Sequence, residues 1–125
     1  MVDILFYTDH KKGHMIPTFD LVNRLQNSGL TVDYFGIADA MDEVAKMDFP
    51  THIILEKYFP KGITKEPHRP SHSPIVLILD GELDQMMSSL KPKIIFVTAH
   101  NPLEALAIYY KYKIKTILFW AHFPK

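Results

Sequence analysis

Short, almost unbroken apolar runs alternating with amphipathic stretches constrain this chain more than any other feature. Residues 2–8, VDILFYT, are hydrophobic, β-branched or aromatic over the length of one strand, which suits a strand covered on both faces in the middle of a parallel sheet. Residues 15–28 follow with apolar side chains at Met15, Ile16, Phe19, Val22 and Leu25. Thr18, Asp20, Asn23, Arg24, Gln26 and Asn27 fall opposite, so the stretch reads as an amphipathic helix. Pro17 fits its first turn, where a missing N–H costs nothing, and Gly29 fits the position just past its end, where left-handed backbone is common.

The alternation continues to the end of the chain. Residues 31–36 (TVDYFG) read as a second strand, residues 38–47 as a short helix opened by Asp39, and residues 51–56 (THIILE) as a third strand. Residues 57–74 hold Pro60, Pro67, Pro70 and Pro74 without apolar periodicity, which predicts one long surface loop. Ser73 and Pro74 cap a third helix. Its face of Ile75, Ile78, Leu79, Leu83, Met86, Met87 and Leu90 runs unbroken to the stop at Pro92. Residues 93–98 (KIIFVT) form a fourth strand. Asn101, Pro102 and Glu104 then make a variant capping box, opening a helix with Leu103, Leu106, Ala107 and Tyr110 as its buried stripe and Lys111 and Lys113 near its negative end. Residues 116–120 (TILFW) are the fifth strand. Strands joined through helices imply right-handed crossovers: a single Rossmann-like α/β domain over residues 1–125, three layers deep, with a parallel sheet in the order 3-2-1-4-5.

Composition removes several classes of function. The 14 basic and 14 acidic side chains cancel, so no overall field favours nucleic acid or an anionic membrane surface. Cysteine is absent, which excludes disulfides and thiolate metal sites. The opening MVDILFYTD has no basic region before its apolar run, so a secretory signal is not expected and a cytoplasmic location is the default. No apolar run approaches the roughly 18–20 residues that cross a bilayer.

In an open parallel sheet, ligands bind beyond the carboxyl ends of the strands where the strand order reverses, here between the first and fourth strands. Asp9, His10, Lys11, Lys12 and His14 leave the first strand at that edge, His100 and Asn101 leave the fourth, and His122 follows the fifth. His14 directly follows Gly13 at the start of a helix. A neutral imidazole there can take a proton from a hydroxyl, as a general base must; the plainer reading is a histidine that caps the helix or packs at the rim. His10 and His14, like His68 and His72, have the spacing of a helical zinc pair. Gly13 and Pro17 place His10 before the helix, however, and the second pair falls in the proline-rich loop, so neither is read as a metal site. The first turn has Gly13 alone where a dinucleotide fingerprint needs three glycines, and no P-loop or G-x-S-x-G elbow occurs.

The stretch ILFYTDHKKGHMIPTFDLVNRLQNSGLTVDYFG resembles the opening of GT-B glycosyltransferases of the UDP-glycosyltransferase and macrolide-glycosyltransferase type. It does so through the first strand, Gly13-His14, Pro17, the Leu21/Leu25 helix, Gly29 and the strand from Thr31. LKPKIIFVTAHNPLEALAIYYKYKIKTILF is similar to the fourth strand, helix and fifth strand of the same enzymes. The resemblance implies an acceptor-binding domain of an enzyme that moves a sugar from a nucleotide-diphosphate donor, UDP- or TDP-linked, to a hydroxyl of a small-molecule acceptor. It makes His14 the general base. It also implies that the loop at 57–74 and the ends of the fourth and fifth strands line the acceptor pocket, with His10, His100, Asn101 and His122 as acceptor-binding candidates.

Many members orient the base with an aspartate at the end of the fourth strand. Thr98 stands there in this chain, leaving Thr98, Asn101 and Asp9 as candidates to hold the imidazole. The implied donor-binding domain lies outside these residues, in cis or in trans, and no transfer is expected without it. Two rival readings are a non-catalytic scaffold domain that docks a partner chain and a flavodoxin-like binder of a small anion at Lys11 and Lys12.

Overall fold

Every side chain of the first strand is covered. In β1 (Ile4–Tyr7) Leu5 and Tyr7 face one layer and Ile4 and Phe6 the other, all of them buried. The structure, a computed structural model, describes residues 1–66 and 73–120. β2 (Val32–Gly36) and β4 (Ile94–Thr98) flank β1 in parallel, pairing Ile4 with Val32 on one side and with Ile94 on the other. β3 (Thr51–Ile53) adds beyond β2 and β5 (Lys115–Phe119) beyond β4, completing the order β3-β2-β1-β4-β5. The fold is therefore the Rossmann-like three-layer α/β arrangement that the alternation predicts. Gly36 ends β2 in close quarters: a Cβ there would stand 2.9 Å from the Thr8 carbonyl oxygen and 3.0 Å from Met41 Cε.

α1 (Lys12–Asn27) and α2 (Ala38–Ala45) cover the Ile4/Phe6 face, where Phe6 stacks against Tyr34 at 5.5 Å and meets Phe96 edge-on at 5.5 Å. α1 begins three residues before the expected start, so Pro17 lies in its second turn and not its first. The carbonyl this leaves without its helical donor belongs to Gly13, in an exposed turn open to solvent. Thr18, expected on the solvent side, is 0% exposed. Its hydroxyl donates to the Met15 carbonyl at 2.6 Å and so accepts from the Tyr34 hydroxyl, also at 2.6 Å. A buried phenol needs a partner, and a threonine one turn from Met15 supplies it; Ile16 moves to the surface instead. Gly29, with φ +95°, ends the helix as expected.

The other face carries α3 (Pro74–Leu79), α4 (Asp84–Leu90) and α5 (Pro102–Tyr112). The single third helix expected from Ser73 to Pro92 is broken into α3 and α4. Gly81 takes φ +99°, its N–H bonding to the Ile78 carbonyl and the next N–H, of Glu82, to the Leu77 carbonyl. This pair of bonds is the Schellman termination that a left-handed glycine permits. Ile78, Leu83 and Met87 are buried across the break, so the apolar periodicity survives it. α5 shows the larger correction. Leu103, Leu106 and Tyr110, three of the four residues of the expected stripe, are 58%, 64% and 69% exposed, while Ala105, Ala107 and Ile108 are buried. Two alanines let the helix lie close against α3 and β4, and the bulkier residues turn outward beside the edge strand β5. Among the described residues no helix is long and apolar enough to cross a membrane.

Asp39 does not cap α2. Ile37 holds the cap position, and Asp39 sits in the first turn with its carboxylate accepting from Gly62 N–H at 2.6 Å, Thr64 N–H at 3.0 Å and Thr64 Oγ1 at 2.7 Å. The described part of the expected loop is thereby pinned to α2 around a short 3-10 turn, Ile63–Lys65, while Tyr58 and Phe59 pack on the core.

Two measurements follow from this packing. Ile108→Ala is expected to cost about 2–5 kcal/mol in chemical denaturation. Leu106→Ala, in the same helix, should cost under about 0.5 kcal/mol; equal losses would mean that the helix is rotated from the position described. For Asp39, burial pulls the pKa upward, but the bonds from Gly62 and Thr64 and the nearby His10 outweigh it and hold the carboxyl below its usual 3.8. Folding favours the ionised form, so the stability this group contributes is present above about pH 4 and is lost as pH falls through the lowered value. Asp39→Asn should lower the thermal midpoint near neutrality, and the gap to the parent protein should narrow steadily below about pH 4.

Candidate active site

The turn leaving β1 is organised by one carboxylate. Asp9 Oδ1 accepts from the Lys11 N–H at 3.0 Å, a turn in which an aspartate binds the backbone two residues on. This sets the chain entering α1. Asp9 Oδ2 is 2.8 Å from His14 Nδ1 and accepts from Asn101 Nδ2 at 3.2 Å. A carboxylate can only accept, so the hydrogen in the Asp9–His14 contact belongs to Nδ1 and the lone pair of the neutral ring lies on Nε2. The second hydrogen of Asn101 Nδ2 goes to Thr98 Oγ1 at 2.6 Å. Three sequence elements that meet at the reversal of strand order are thus joined through Asp9.

Thr98, at the end of β4, is 2% exposed, and its hydroxyl meets Asn101 rather than the imidazole. It reaches His14 only through Asn101 and Asp9. Asn101 holds the cap position of α5, but its side-chain oxygen accepts no capping bond; the amide is turned so that its nitrogen donates to Asp9 and Thr98. The expected capping box with Glu104 therefore does not form. His14 itself lies in the first turn of α1, and its side chain keeps 21% of its surface accessible. His100 covers it: the two imidazole rings stack at 3.6 Å and 7° from parallel, with Trp120 stacked on His100 at 5.7 Å. His10 precedes α1, so it shares no helical face with His14. His68, His72 and His122 lie outside the described residues.

Beside this cluster a crevice of about 370 Å³ opens at the carboxyl ends of β1 and β4. Asp9, His10 and Asn101 reach it from the strand-end turns, and Phe59, Ile63 and Thr64 close its far side from the segment that Asp39 pins. Tyr7 and Glu104 also line it, and sequence reasoning missed both. Tyr7 was hidden as one more apolar residue of a buried strand and Glu104 as part of a cap. The signal for each was position: the last residue of β1 and the first turn after β4, both at the reversal of strand order.

No family model matches the sequence, and none of the curated proteins matches it. Solved structures do match. The crystal structure of Acinetobacter baumannii MurG aligns with a TM-score of 0.68 at 16% identity, over 98% of this chain and 37% of MurG. The glycosyltransferase VinC, crystallised with dTDP, aligns with a TM-score of 0.65 at 12% identity, over 94% of this chain and 34% of VinC. The chain thus spans about a third of the length of either structure. At these identities the likeness establishes the architecture, that of a Rossmann-like domain with the GT-B glycosyltransferase-like fold.

Proposed function

We propose that this chain is the acceptor-binding half of a glycosyltransferase that moves a sugar from a nucleotide-diphosphate donor to a hydroxyl group, with His14 as general base. The observation that supports this reading most is the Asp9–His14 hydrogen bond at 2.8 Å, beside a crevice at the reversal of strand order. With Nδ1–H given to Asp9, Nε2 is the basic atom. It takes the proton of the acceptor hydroxyl as that oxygen attacks the anomeric carbon of the donor. The bond from that carbon to the diphosphate oxygen breaks, and the nucleoside diphosphate leaves with its electron pair. The proton stays on His14, where the Asp9 charge stabilises the imidazolium.

Asn101 and Thr98 act at one remove, fixing the carboxylate so that the ring keeps one orientation. His100 limits rotation of the ring by stacking on it. His10 and Asn101 touch the acceptor from the crevice rim. The donor, UDP- or TDP-linked, is held by a second domain, in cis or in trans. The similarity to VinC, which was crystallised with dTDP, and the third of that structure's length spanned here are in keeping with this division.

In the protein with its donor-binding domain present, His14→Ala should lower kcat for sugar transfer by about 10²–10⁴ with little change in acceptor KM. Steady-state kinetics against the parent enzyme checks this, and a loss of only a few-fold would remove His14 as the base.

A further inference from the structure

Tyr7 carries a hydroxyl that the described protein does not use. The residue is 5% exposed and its ring packs edge-on against Phe35 at 5.3 Å, yet no described residue hydrogen-bonds to its oxygen. Among the described residues, every side-chain nitrogen or oxygen sealed from solvent has a partner. The Tyr7 oxygen is therefore not sealed, and the opening that Tyr7 lines is the crevice. Burial first, then the negative charges of Glu104 and Asp9, push this phenol far above its ordinary range, so it remains protonated.

Glu104 lines the same crevice from the first turn of α5 and has no ion-pair or hydrogen-bond partner among the described residues. The two oxygens of Asp9, in contrast, are already engaged. No lysine or arginine is among the described residues lining the crevice, whose remaining walls include the apolar side chains of Ile37, Phe59, Ile63 and Pro74. The space thus offers a free carboxylate and an unpartnered phenolic oxygen beside apolar side chains, with Asp9, His10, Thr64 and Asn101 completing the lining.

We propose that Glu104 and Tyr7 form a subsite for a basic amine carried by an otherwise apolar acceptor, a statement that rests on the acceptor-half reading above. An ammonium group has three donors and no acceptor. Glu104 and the lone pairs of the Tyr7 oxygen take those donors, and the apolar side chains of Ile37, Phe59, Ile63 and Pro74 pack on the body of the acceptor. A neutral alcohol of the same shape leaves the Glu104 charge without a counter-charge. The amine anchors the molecule and remains protonated, which leaves a hydroxyl elsewhere on the acceptor for His14.

The test is a calorimetric titration of the protein, without nucleotide sugar, with phenethylamine and with phenethyl alcohol, which share one apolar body. The amine should bind about tenfold or more tightly than the alcohol. Glu104→Gln should bring the two within about threefold, and Tyr7→Phe should weaken the amine by about three- to tenfold. Tyr7→Phe removes an oxygen with no protein partner and Glu104 is only partly buried, so circular dichroism should show both variants folded. Equal affinities in the parent protein, no saturable binding of the amine up to about 10 mM, or a preference that survives Glu104→Gln would overturn the proposal. His14→Ala should leave the preference intact. A lasting amine preference beside an unaffected transfer rate would remove the base and keep the subsite; the reverse pair of results would keep the base and remove the subsite.

Discussion

β1 has no side that faces water. Its ladder bonds are taken on one edge by β2 and on the other by β4, and its side chains are buried in the layers above and below. A strand enclosed in this way meets solvent at its ends alone, and its carboxyl end lies where the neighbouring strands connect in opposite directions. Polar groups leaving β1 therefore either find partners in the adjoining turns or open onto the crevice. Asp9 finds partners in the Lys11 N–H, His14 and Asn101; Tyr7, one strand position earlier than the turn, does not. The difference between those two residues separates the part of the site that holds itself together from the part left open.

The Asp9 arrangement also explains how a short-range device joins segments far apart in sequence. Asn101 is 92 residues from Asp9, and one amide nitrogen spans the gap by splitting its two hydrogens between Asp9 and Thr98. Thr98 is buried, so its hydroxyl needs a partner whether or not any chemistry follows. The amide that satisfies Thr98 with one hydrogen thus holds the Asp9 carboxylate with the other. Fold stability and the geometry of the cluster therefore depend on shared hydrogen bonds.

The sheet was legible in the sequence because its evidence is local. Five apolar runs of strand length, separated by periodic stretches, leave little choice of architecture, and right-handed crossovers with the order reversing at β1 put helices on both faces of the sheet. What the sequence concealed were choices made by packing between elements. In α5, hydrophobic periodicity ranks Leu103, Leu106 and Tyr110 above Ala105 and Ala107, but a helix pressed against both α3 and β4 needs small side chains more than oily ones. Thr18 was read by its polarity, whereas its place was set by the Tyr34 hydroxyl across the core. Gly81, with φ +99°, ends a helix inside an apolar face that continues on either side of it, so hydrophobic periodicity does not mark the break. At the site, His14 and Asp9 were visible as residues leaving β1, but which group would meet the imidazole among Asp9, Thr98 and Asn101 depended on side-chain reach.

The clamp at Asp39 leaves the two sides of the crevice mechanically unequal. The strand-end side is locked into the ladders, so any change there is felt across the whole sheet. The opposite side is held to α2 by the Asp39 carboxylate through Gly62 and Thr64 and by the Lys61–Asp42 ion pair at 3.5 Å, and to the core by Tyr58 and Phe59. Residues 57–66 take part in no inter-strand ladder, so a change there leaves the sheet bonds intact and is felt instead in the Asp39 clamp and in the packing of Tyr58 and Phe59 on the core. A disturbance of that segment therefore reshapes the opening without moving the turn that carries Asp9 and His14, which is tied to the strand ends.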